Sequence, residues 1–346
     1  MKFTTLSIAR KLKFYQLIVY AQVLESGSIL RAAQALNLTQ PSVTKVIHEL
    51  ESYFGAPLLV RGNRGVSATP LGERVLQRSK SFISDLRLLT DEVNAYLEGS
   101  AGHVIVGTLI SASAWLLPRA TQLLKEKAPK VLLSLRIGQM DQLFPALADG
   151  ELDLVVSRVP DDWDVHDWSR RNESPLLKVE PLYRESLSVV AGARHPMHKK
   201  RTKFVDLHAY PWVLPTRDSF LRRTADALFA EAGLPIPDNV VESLSILTNI
   251  TLMQDQRTIA LMPREAIRNF AEAGLLKEFD LGGALQFGDI GCFYSATREP
   301  TPAALMLREC LRAASREHVQ FSSLLPAGEG APKGRMREKP STNSPR

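Results

Sequence analysis

Residues 38–55 read LTQPSVTKVIHELESYFG, and this stretch decides the fold of the N-terminal part of the chain. Thr39 is a favourable N-cap, and Pro41 falls in the first helical turn, where its missing N–H costs nothing. Apolar residues then recur at helical spacing and direct one helix face inward. They are Val43, Val46, Ile47, Leu50 and Phe54. The other face is left to small polar and basic side chains, namely Gln40, Ser42, Thr44, Lys45 and His48.

Two shorter helical patterns precede this stretch. Apolar residues between 14 and 24 predict a first helix, and Ser28 can cap a second, short one. Short helices joined by a tight turn, the last of them exposing polar residues, are typical of a helix-turn-helix. Gln40 suits the edge of adenine, and Lys45 suits guanine or phosphate. A three-helix protein-interaction module with a solvated polar face would give the same pattern.

The residues that follow predict a two-stranded wing. Residues 58–60 and 66–68 have strand character, and 61–65 (RGNRG) form the turn between them. Arginines at such a tip can contact the phosphate backbone or the minor groove. We therefore predict a winged helix-turn-helix domain over residues 1–68 that binds double-stranded DNA. Its candidate contact residues are Ser28, Thr39, Gln40, Pro41, Ser42, Thr44, Lys45, His48, Arg61, Asn63 and Arg64.

Residues 69–98 predict one long linker helix, which Thr69 caps and Pro70 begins. Its apolar residues repeat every 3.5 positions, which is typical of a helix that pairs with a second copy of itself. Packing against the chain's own body would give a wider apolar stripe. We expect a homodimer that reads two related half-sites. The candidate dimerisation residues are Val75, Phe82, Leu86, Leu89, Val93 and Tyr96.

The charge of the chain is unevenly distributed. Residues 1–98 carry 12 Lys or Arg against 8 Asp or Glu, residues 99–325 carry 26 against 27, and residues 326–346 carry 5 against 2. A basic head on a neutral body favours a polyanionic partner for the head. Residues 322–346 are rich in Pro, Gly and Ser, so we expect a disordered basic tail that either touches DNA without specificity or has no function.

Composition excludes several classes of protein. Only two cysteines occur in 346 residues, no apolar run is long enough to span a membrane, and no secretory signal opens the chain. We therefore expect a cytoplasmic protein. Phosphate-binding loops, dinucleotide fingerprints, nucleophile elbows and helical metal-binding histidine pairs are absent from the sequence. His195 and His198 lie among cationic residues, which disfavours a metal ion. We predict no enzyme activity, no cofactor and no metal.

From residue 103 onward, short apolar strands alternate with helices. This pattern predicts open α/β sheets arranged in two small lobes, with ligand sites at the carboxyl ends of strands. Ser111 either helps a helix start to hold an anionic group or is a simple N-cap. Arg136 and Arg158 follow strands and could pair with a carboxylate ligand or lie outside the sheet. An enzyme that represses its own gene, and a small-molecule binding protein with an interaction module, remain as alternatives.

Several motifs along the chain together resemble those of a known protein family. The N-terminal part of this set of motifs consists of Ser28, Ala32, Ala33, residues 38–44 (LTQPSVT), Ile47, Leu50, Glu51, Gly55, Leu58, Arg61, Thr69, Pro70 and Gly72. A looser part consists of Leu117-Pro118, residues 150–154 (GELDL) and Pro211-Trp212. On these motifs, residues 14 to about 318 resemble the LysR-type transcriptional regulators.

The resemblance implies a homodimer or homotetramer that sits on promoter DNA, activates or represses transcription, and can contact RNA polymerase. It implies a two-lobed effector domain with the periplasmic-binding-protein-like (type 2) fold over residues 103–318. Lobe I would hold 103–182 and 287–318, and lobe II would hold 183–286. A small coinducer, such as an aromatic or organic acid or a sugar, would bind in the cleft between the lobes. The candidate effector-binding residues are Ser111, Gln139, Thr216, Ser219 and Phe220.

Overall fold

The structure is a computed structural model that describes residues 4–62, 65–98, 102–160, 177–199, 202–281 and 285–324. The chain divides into two compact units. The first comprises Met1–Leu182 and Asp289–Ala314, and the second comprises Tyr183–Gly288 and Ser315–Arg346.

The first unit begins with a helical head that carries a two-stranded wing. In chain order its elements are α1 (Thr5–Lys11), α2 (Phe14–Ser26), α3 (Ile29–Ala35), α4 (Gln40–Phe54), β1 (Leu59–Gly62) and β2 (Gly65–Ala68). The predicted helix-turn-helix and wing are confirmed, while α1 was not predicted. The placement of Arg61 in the turn was wrong, because Arg61 pairs with Val66 in the antiparallel ladder of the wing.

The head has its own apolar core. The inward face of α4 was predicted correctly, since Val43, Ile47 and Leu50 are buried among residues of α2 and α3. Ser28 and Thr39 act as the predicted N-caps, each accepting a backbone N–H at 3.4 Å from the residue three positions later. These caps fix where α3 and α4 begin and therefore which side chains face outward.

The linker helix α5 (Pro70–Glu98) follows directly, and Thr69 Oγ1 accepts the N–H of Gly72 at 3.0 Å. Gly72 lies where the helix meets the head. A Cβ on Gly72 would overlap the carbonyl oxygen of Leu58 and lie 2.6 Å from Tyr20 Oη. Glycine therefore allows the start of the linker helix to sit directly on the head.

The remaining chain alternates strands and helices. In chain order these are β3 (His103–Thr108), α6 (Ile110–Ala114), α7 (Leu116–Lys127), β4 (Leu132–Ile137), α8 (Met140–Asp149), β5 (Leu154–Arg158), β6 (Leu177–Gly192), α9 (Phe204–Leu207), β7 (Trp212–Leu214), α10 (Phe220–Glu231), β8 (Val240–Glu242), α11 (Ile246–Leu252), β9 (Ile259–Pro263), α12 (Arg264–Glu272), β10 (Leu276–Glu278), β11 (Leu285–Ser295) and α13 (Pro302–Leu324). Short 3₁₀ turns occupy Pro196–Lys199 and Met253–Asp255.

In the first unit, β3 lies between β4 and β5 and is parallel to both, and the end of β11 pairs antiparallel with β5. In the second unit, β9 lies between β6 and β7, β8 extends the row beyond β7, and β10 pairs with β6. The core of the second unit is built around Trp212, whose indole N–H donates to the carbonyl of Leu207 at 3.0 Å.

The predicted boundary of the C-terminal tail was wrong. The predicted tail, 322–346, begins too early because α13 reaches Leu324. Its remaining residues, 325–346, lie outside the described residues. Within the described ranges, the helices are too short or too polar to span a membrane.

Candidate functional site

The N-terminal half of α4 exposes the polar side chains that the sequence singled out. Gln40, Ser42, Lys45 and His48 are exposed, as are Thr39 and Pro41, and Thr44 is partly buried. The Thr44 hydroxyl donates to the carbonyl of Gln40 at 3.0 Å, so it partly serves the helix itself. The result is a convex, polar and cationic helix end of the kind that fits a DNA major groove.

Polar contacts fix α4 within the head. The carboxylate of Glu51 accepts the backbone N–H groups of Leu58 and Leu59 at 2.9 and 3.2 Å, which ties the C-terminal half of α4 to the wing. Gln16 Nε2 on α2 donates to Glu49 Oε2 at 3.3 Å. The helix is therefore held from its buried side and its C-terminal half, and its N-terminal half is left for a ligand.

The wing is anchored beside the turn between α2 and α3. The N–H of Val66 donates to the carbonyl of Gly27 at 3.0 Å. Gly65 has φ +117°, and a Cβ there would lie 2.6 Å from the same carbonyl oxygen, so only glycine allows this approach. Arg61 is exposed on β1. The other two predicted wing contacts, Asn63 and Arg64, lie outside the described residues.

The predicted dimerisation residues separate into two groups. Phe82, Leu89, Val93 and Tyr96 are exposed on α5, with Tyr96 as much as 89% exposed, and Leu86 is partly buried. Val75 instead packs against the core of the head. The exposed apolar stripe thus runs along α5 from Phe82, whose ring lies edge-on to Phe14 of the head at 6.3 Å, to Tyr96, and we call it the seam.

In the first unit, the candidate effector residues follow parallel strands. The N–H of Gly138 donates to the carbonyl of Thr108 at 3.2 Å, and the N–H of Leu109 donates to that of Val156 at 3.2 Å, so the carboxyl ends of β3, β4 and β5 meet at one edge. Ser111 and Gln139 follow this edge; Gln139 is the N-cap residue of α8.

The N-cap interpretation of Ser111 was wrong. Leu109 holds the cap position with extended backbone angles, and Ser111 lies inside α6, where it is only 4% exposed. Arg158, the last residue of β5, is buried, whereas Arg136 on β4 is largely exposed with its guanidinium 3.8 Å from Glu151. Ser157, also buried, was not predicted; among the described residues its Oγ has no hydrogen-bond partner.

In the second unit, Thr216, Ser219 and Phe220 lie at the start of α10. The Ser219 hydroxyl accepts the N–H of Arg222 at 3.2 Å and donates to the carbonyl of Thr216 at 2.8 Å, so it acts as a helix cap. The Phe220 ring packs edge-on against Phe287 at 5.6 Å. The side chains of Ser219 and Phe220 therefore both make contacts within the fold.

Arg222 is a residue of this region that the sequence reasoning missed. It is buried, and it donates to Asp226 and Glu242 at 2.8 Å each and to the carbonyl of Pro215 at 3.2 Å. Two carboxylates thus neutralise the buried cation, as a buried charge requires. The Arg222 and Arg217 guanidiniums hold the pKa of Glu242 below its ordinary value.

The two histidines considered as metal ligands serve the core of the second unit. His195 Nδ1 accepts the N–H of Met197 at 3.2 Å, and the ring of His198 stacks on Phe279 at 4.3 Å. Burial lowers the pKa of His198 to about 4, and His195 and Lys277 add to the effect through their positive charge. Both cysteines, Cys292 and Cys310, are buried free thiols.

Both the N-terminal and the C-terminal part of the chain match models of known protein families. Residues 14–73 match the family model described as "Bacterial regulatory helix-turn-helix protein, lysR family", and residues 97–316 match the "LysR substrate binding domain". The "HTH-type transcriptional regulator TdcA" of Escherichia coli (strain K12) is 29% identical over 251 residues, which cover 72% of this chain and 77% of that protein. The "HTH-type transcriptional regulator GbpR" of Azospirillum brasilense is 25% identical over 318 residues, covering 91% and 90%.

Solved structures have the same fold. Full-length CbnR in complex with its target DNA superimposes with a TM-score of 0.59 at 19% sequence identity, covering 88% of this chain and 100% of that one. The two family models together account for most of the chain, from the helix-turn-helix to α13. The chain therefore belongs to the LysR family, as the sequence motifs indicated: it is a DNA-binding transcriptional regulator with an effector-binding domain, and not an enzyme.

Proposed function

We propose that this protein binds promoter DNA in the cytoplasm as a dimer or tetramer, and that a small coinducer changes how it sits on that DNA. The observation that carries the proposal is the exposed N-terminal half of α4, where Gln40, Ser42 and Lys45 lie within the first two turns. Gln40 would read adenine, and Lys45 would read guanine or hold phosphate. Arg61, with Asn63 and Arg64 at the wing tip, would contact the backbone.

The seam supports the dimer. Phe82, Leu89 and Tyr96 recur every seven residues and are exposed in the isolated chain. An exposed apolar stripe of this period is satisfied when a second copy of α5 packs against it. Two paired linker helices would set the spacing of two recognition helices, which would enter successive major grooves at two related half-sites.

The coinducer is proposed to be an aromatic or organic acid or a sugar. In the first unit, Ser111 and Gln139 offer hydroxyl and amide groups beyond the carboxyl ends of parallel strands, the usual position of a ligand in such sheets. Thr216, Ser219 and Phe220 are the candidates in the second unit. Ligand binding would favour one arrangement of the dimers over another and so alter DNA bending and access of RNA polymerase, as activation or as repression.

Selection of genomic DNA fragments by the purified full-length protein, followed by sequencing, tests the DNA-binding part of the proposal. We expect enrichment of a few sites, each with two related half-sites. Small acids and sugars are then screened for their effect on affinity at the recovered site. Failure to enrich any site over random fragments would contradict the proposal and favour a small-molecule binding protein whose head is an interaction module.

A further inference from the structure

The linker helix has two opposite faces. At 100° per residue, Phe82, Leu89 and Tyr96 lie along one side of α5, and the row that contains Lys80, Ser84 and Arg87 lies about 180° away. The first row is the exposed seam, whereas Ser84 is only 4% exposed. The second row contacts the end of α8 and the loop that follows it. We call the following residues the clamp: Lys80, Ser84 and Arg87 of α5 with Asp149, Gly150, Glu151 and Asp153.

The central contact of the clamp joins Ser84 to Gly150. The Ser84 hydroxyl donates to the carbonyl of Gly150 at 2.5 Å. Gly150 ends α8 with φ +82°, and a Cβ there would collide with the Ser84 hydroxyl and the Arg298 guanidinium. The glycine therefore provides both the left-handed turn and the close approach of the linker helix.

Ion pairs surround this contact. Lys80 Nζ lies 2.9 Å from Glu151 Oε1 and 3.5 Å from Asp149 Oδ2, and Arg87 Nη2 lies 2.7 Å from Asp153 Oδ1. The two cations lie where α8 ends, and the C-terminal end of a helix favours positive charge. The hydrogen bond and ion pairs of the clamp depend on the orientation and charge of the groups that form them. One set of such contacts can therefore be replaced by another more readily than apolar packing can.

The clamp continues into the sheet that carries the candidate effector residues. The second oxygen of Asp153, Oδ2, accepts the N–H of Ile105 in β3 at 2.7 Å. β3 leads directly to α6 and Ser111. One carboxylate therefore joins the linker helix, through Arg87, to the strand that ends at the candidate effector edge.

A cavity next to the clamp leaves room for movement. It has a volume of about 640 Å³ and is lined by the head, the linker helix and the effector domain of the same unit, including Ile18, Val66, Leu76, Lys80, Ile105 and Glu151. Around this cavity, the effector part of the unit contacts α5 through the clamp but is not packed tightly against the head. A change at the clamp can therefore shift this part relative to the head without opening a packed core.

We propose that the clamp couples the effector domain to the dimerisation helix through Arg87 and Asp153. A change in the conformation of β3 then changes the conformation of the DNA-bound head, and DNA binding to the head changes the conformation of β3. This proposal rests on the proposed DNA-binding function. Coupling between two sites is reciprocal, so DNA binding must in turn change the effector domain. That reciprocity allows a test without knowledge of the coinducer.

The test is amide hydrogen exchange of residues 103–111 in the full-length protein, with and without the DNA site recovered by selection. In the unaltered protein, DNA is expected to change exchange in this segment. In Arg87→Gln the change should fall roughly fivefold or more, the lower end of typical allosteric coupling, while DNA affinity in the absence of coinducer stays within about twofold. Arg78→Gln, which removes the same charge from an exposed position of α5, is the matched control and should respond like the unaltered protein.

A second pair of variants keeps the proposal testable if Arg87→Gln folds poorly. Lys80→Glu places like charges together and should weaken the exchange response, and the double change Lys80→Glu with Glu151→Lys should restore it. The same response in clamp variants and control, or no response of residues 103–111 to bound DNA in any protein, would overturn the coupling. If the unaltered protein recovers no DNA site, the proposed function fails instead, so the two failures are distinguishable.

Discussion

In the head, the candidate contact residues Gln40, Ser42 and Lys45 are exposed and lie on one helix, whereas in the effector domain Ser111, Ser157 and Ser219 are buried and lie on separate elements. An exposed polar side chain already has water as a partner, so it can exchange that water for DNA. A buried polar side chain is stabilised by a partner within the fold, which Ser219 has in Thr216 and Arg222 and which Ser157 Oγ lacks among the described residues. These candidate contact residues of the head therefore depend on one helix, whereas the roles of the buried serines in the effector domain depend on contacts distant in sequence.

The largest expected effect lies on the seam, the apolar stripe of α5 on which we propose that a second copy packs. Changing both Phe82 and Leu89 to Asp places four charges in the paired helices and should abolish dimers at micromolar concentration, since each buried apolar side chain contributes about 1.5–3 kcal/mol. Sedimentation velocity measures the outcome. Asn94→Asp adds a charge to an exposed position of α5 away from the seam and should leave the dimer intact. Dimers that persist in the double variant would place the interface elsewhere.

The next effect is confined to the effector domain. Trp212 is 1% exposed and packs edge-on against Phe229 at 5.1 Å, so Trp212→Ala should lower the free energy of unfolding by about 3–5 kcal/mol. Trp212→Phe keeps most of the packing but loses the hydrogen bond to Leu207, and it should cost less. Denaturant unfolding followed by circular dichroism measures both. An equal cost for the two variants would show that the hydrogen bond, and not the packing, dominates.

His198 gives the second unit a pH dependence. Burial lowers its pKa to about 4 from the ordinary 6.5, so between these pH values the unfolded chain binds a proton that the folded chain does not. The free energy of unfolding should therefore fall as the pH drops through this window. We expect a loss of up to about 2 kcal/mol, since the ring is partly exposed and solvent reduces the effect.

Melting temperatures between pH 7 and 4 test this expectation. His198→Asn should show a flatter pH dependence than the unaltered protein. Equal slopes for this variant and the unaltered protein would contradict the role of His198.

The smallest effect returns to the head. Thr39 caps α4 through its bond to the N–H of Ser42 at 3.4 Å, and Thr39→Ala should lower the free energy of unfolding by about 0.5–2 kcal/mol. Thr39→Ser retains the oxygen and should restore most of the loss. Thermal unfolding of the full-length protein measures the difference. If alanine and serine behave alike, Thr39 does not act as a cap.

The head could be predicted from its sequence because its determinants are local. The caps Ser28 and Thr39, the apolar spacing of α4 and the heptads of α5 all act within a few turns of one helix. Arg61 was placed wrongly because a short hairpin has few residues that mark where the strand ends and the turn begins.

The effector domain and the clamp could not be predicted to the same depth. Nothing near Ser84 in the sequence indicates Gly150, which is 66 residues away, and charged residues such as Lys80 and Arg87 on a helix are usually solvated. Similarly, the cap position before α6 depends on the backbone angles of Leu109, so Ser111 was the natural but wrong choice. Long-range contacts decide the roles of these residues.

The measurement that tests the central claim most directly is the affinity of Gln40→Ala and Lys45→Ala for the recovered site and for random DNA of the same length, at one salt concentration. If the N-terminal half of α4 reads bases, each change should weaken binding to the site by about 1–3 kcal/mol more than binding to random DNA. Equal losses on both DNAs would contradict base recognition by α4.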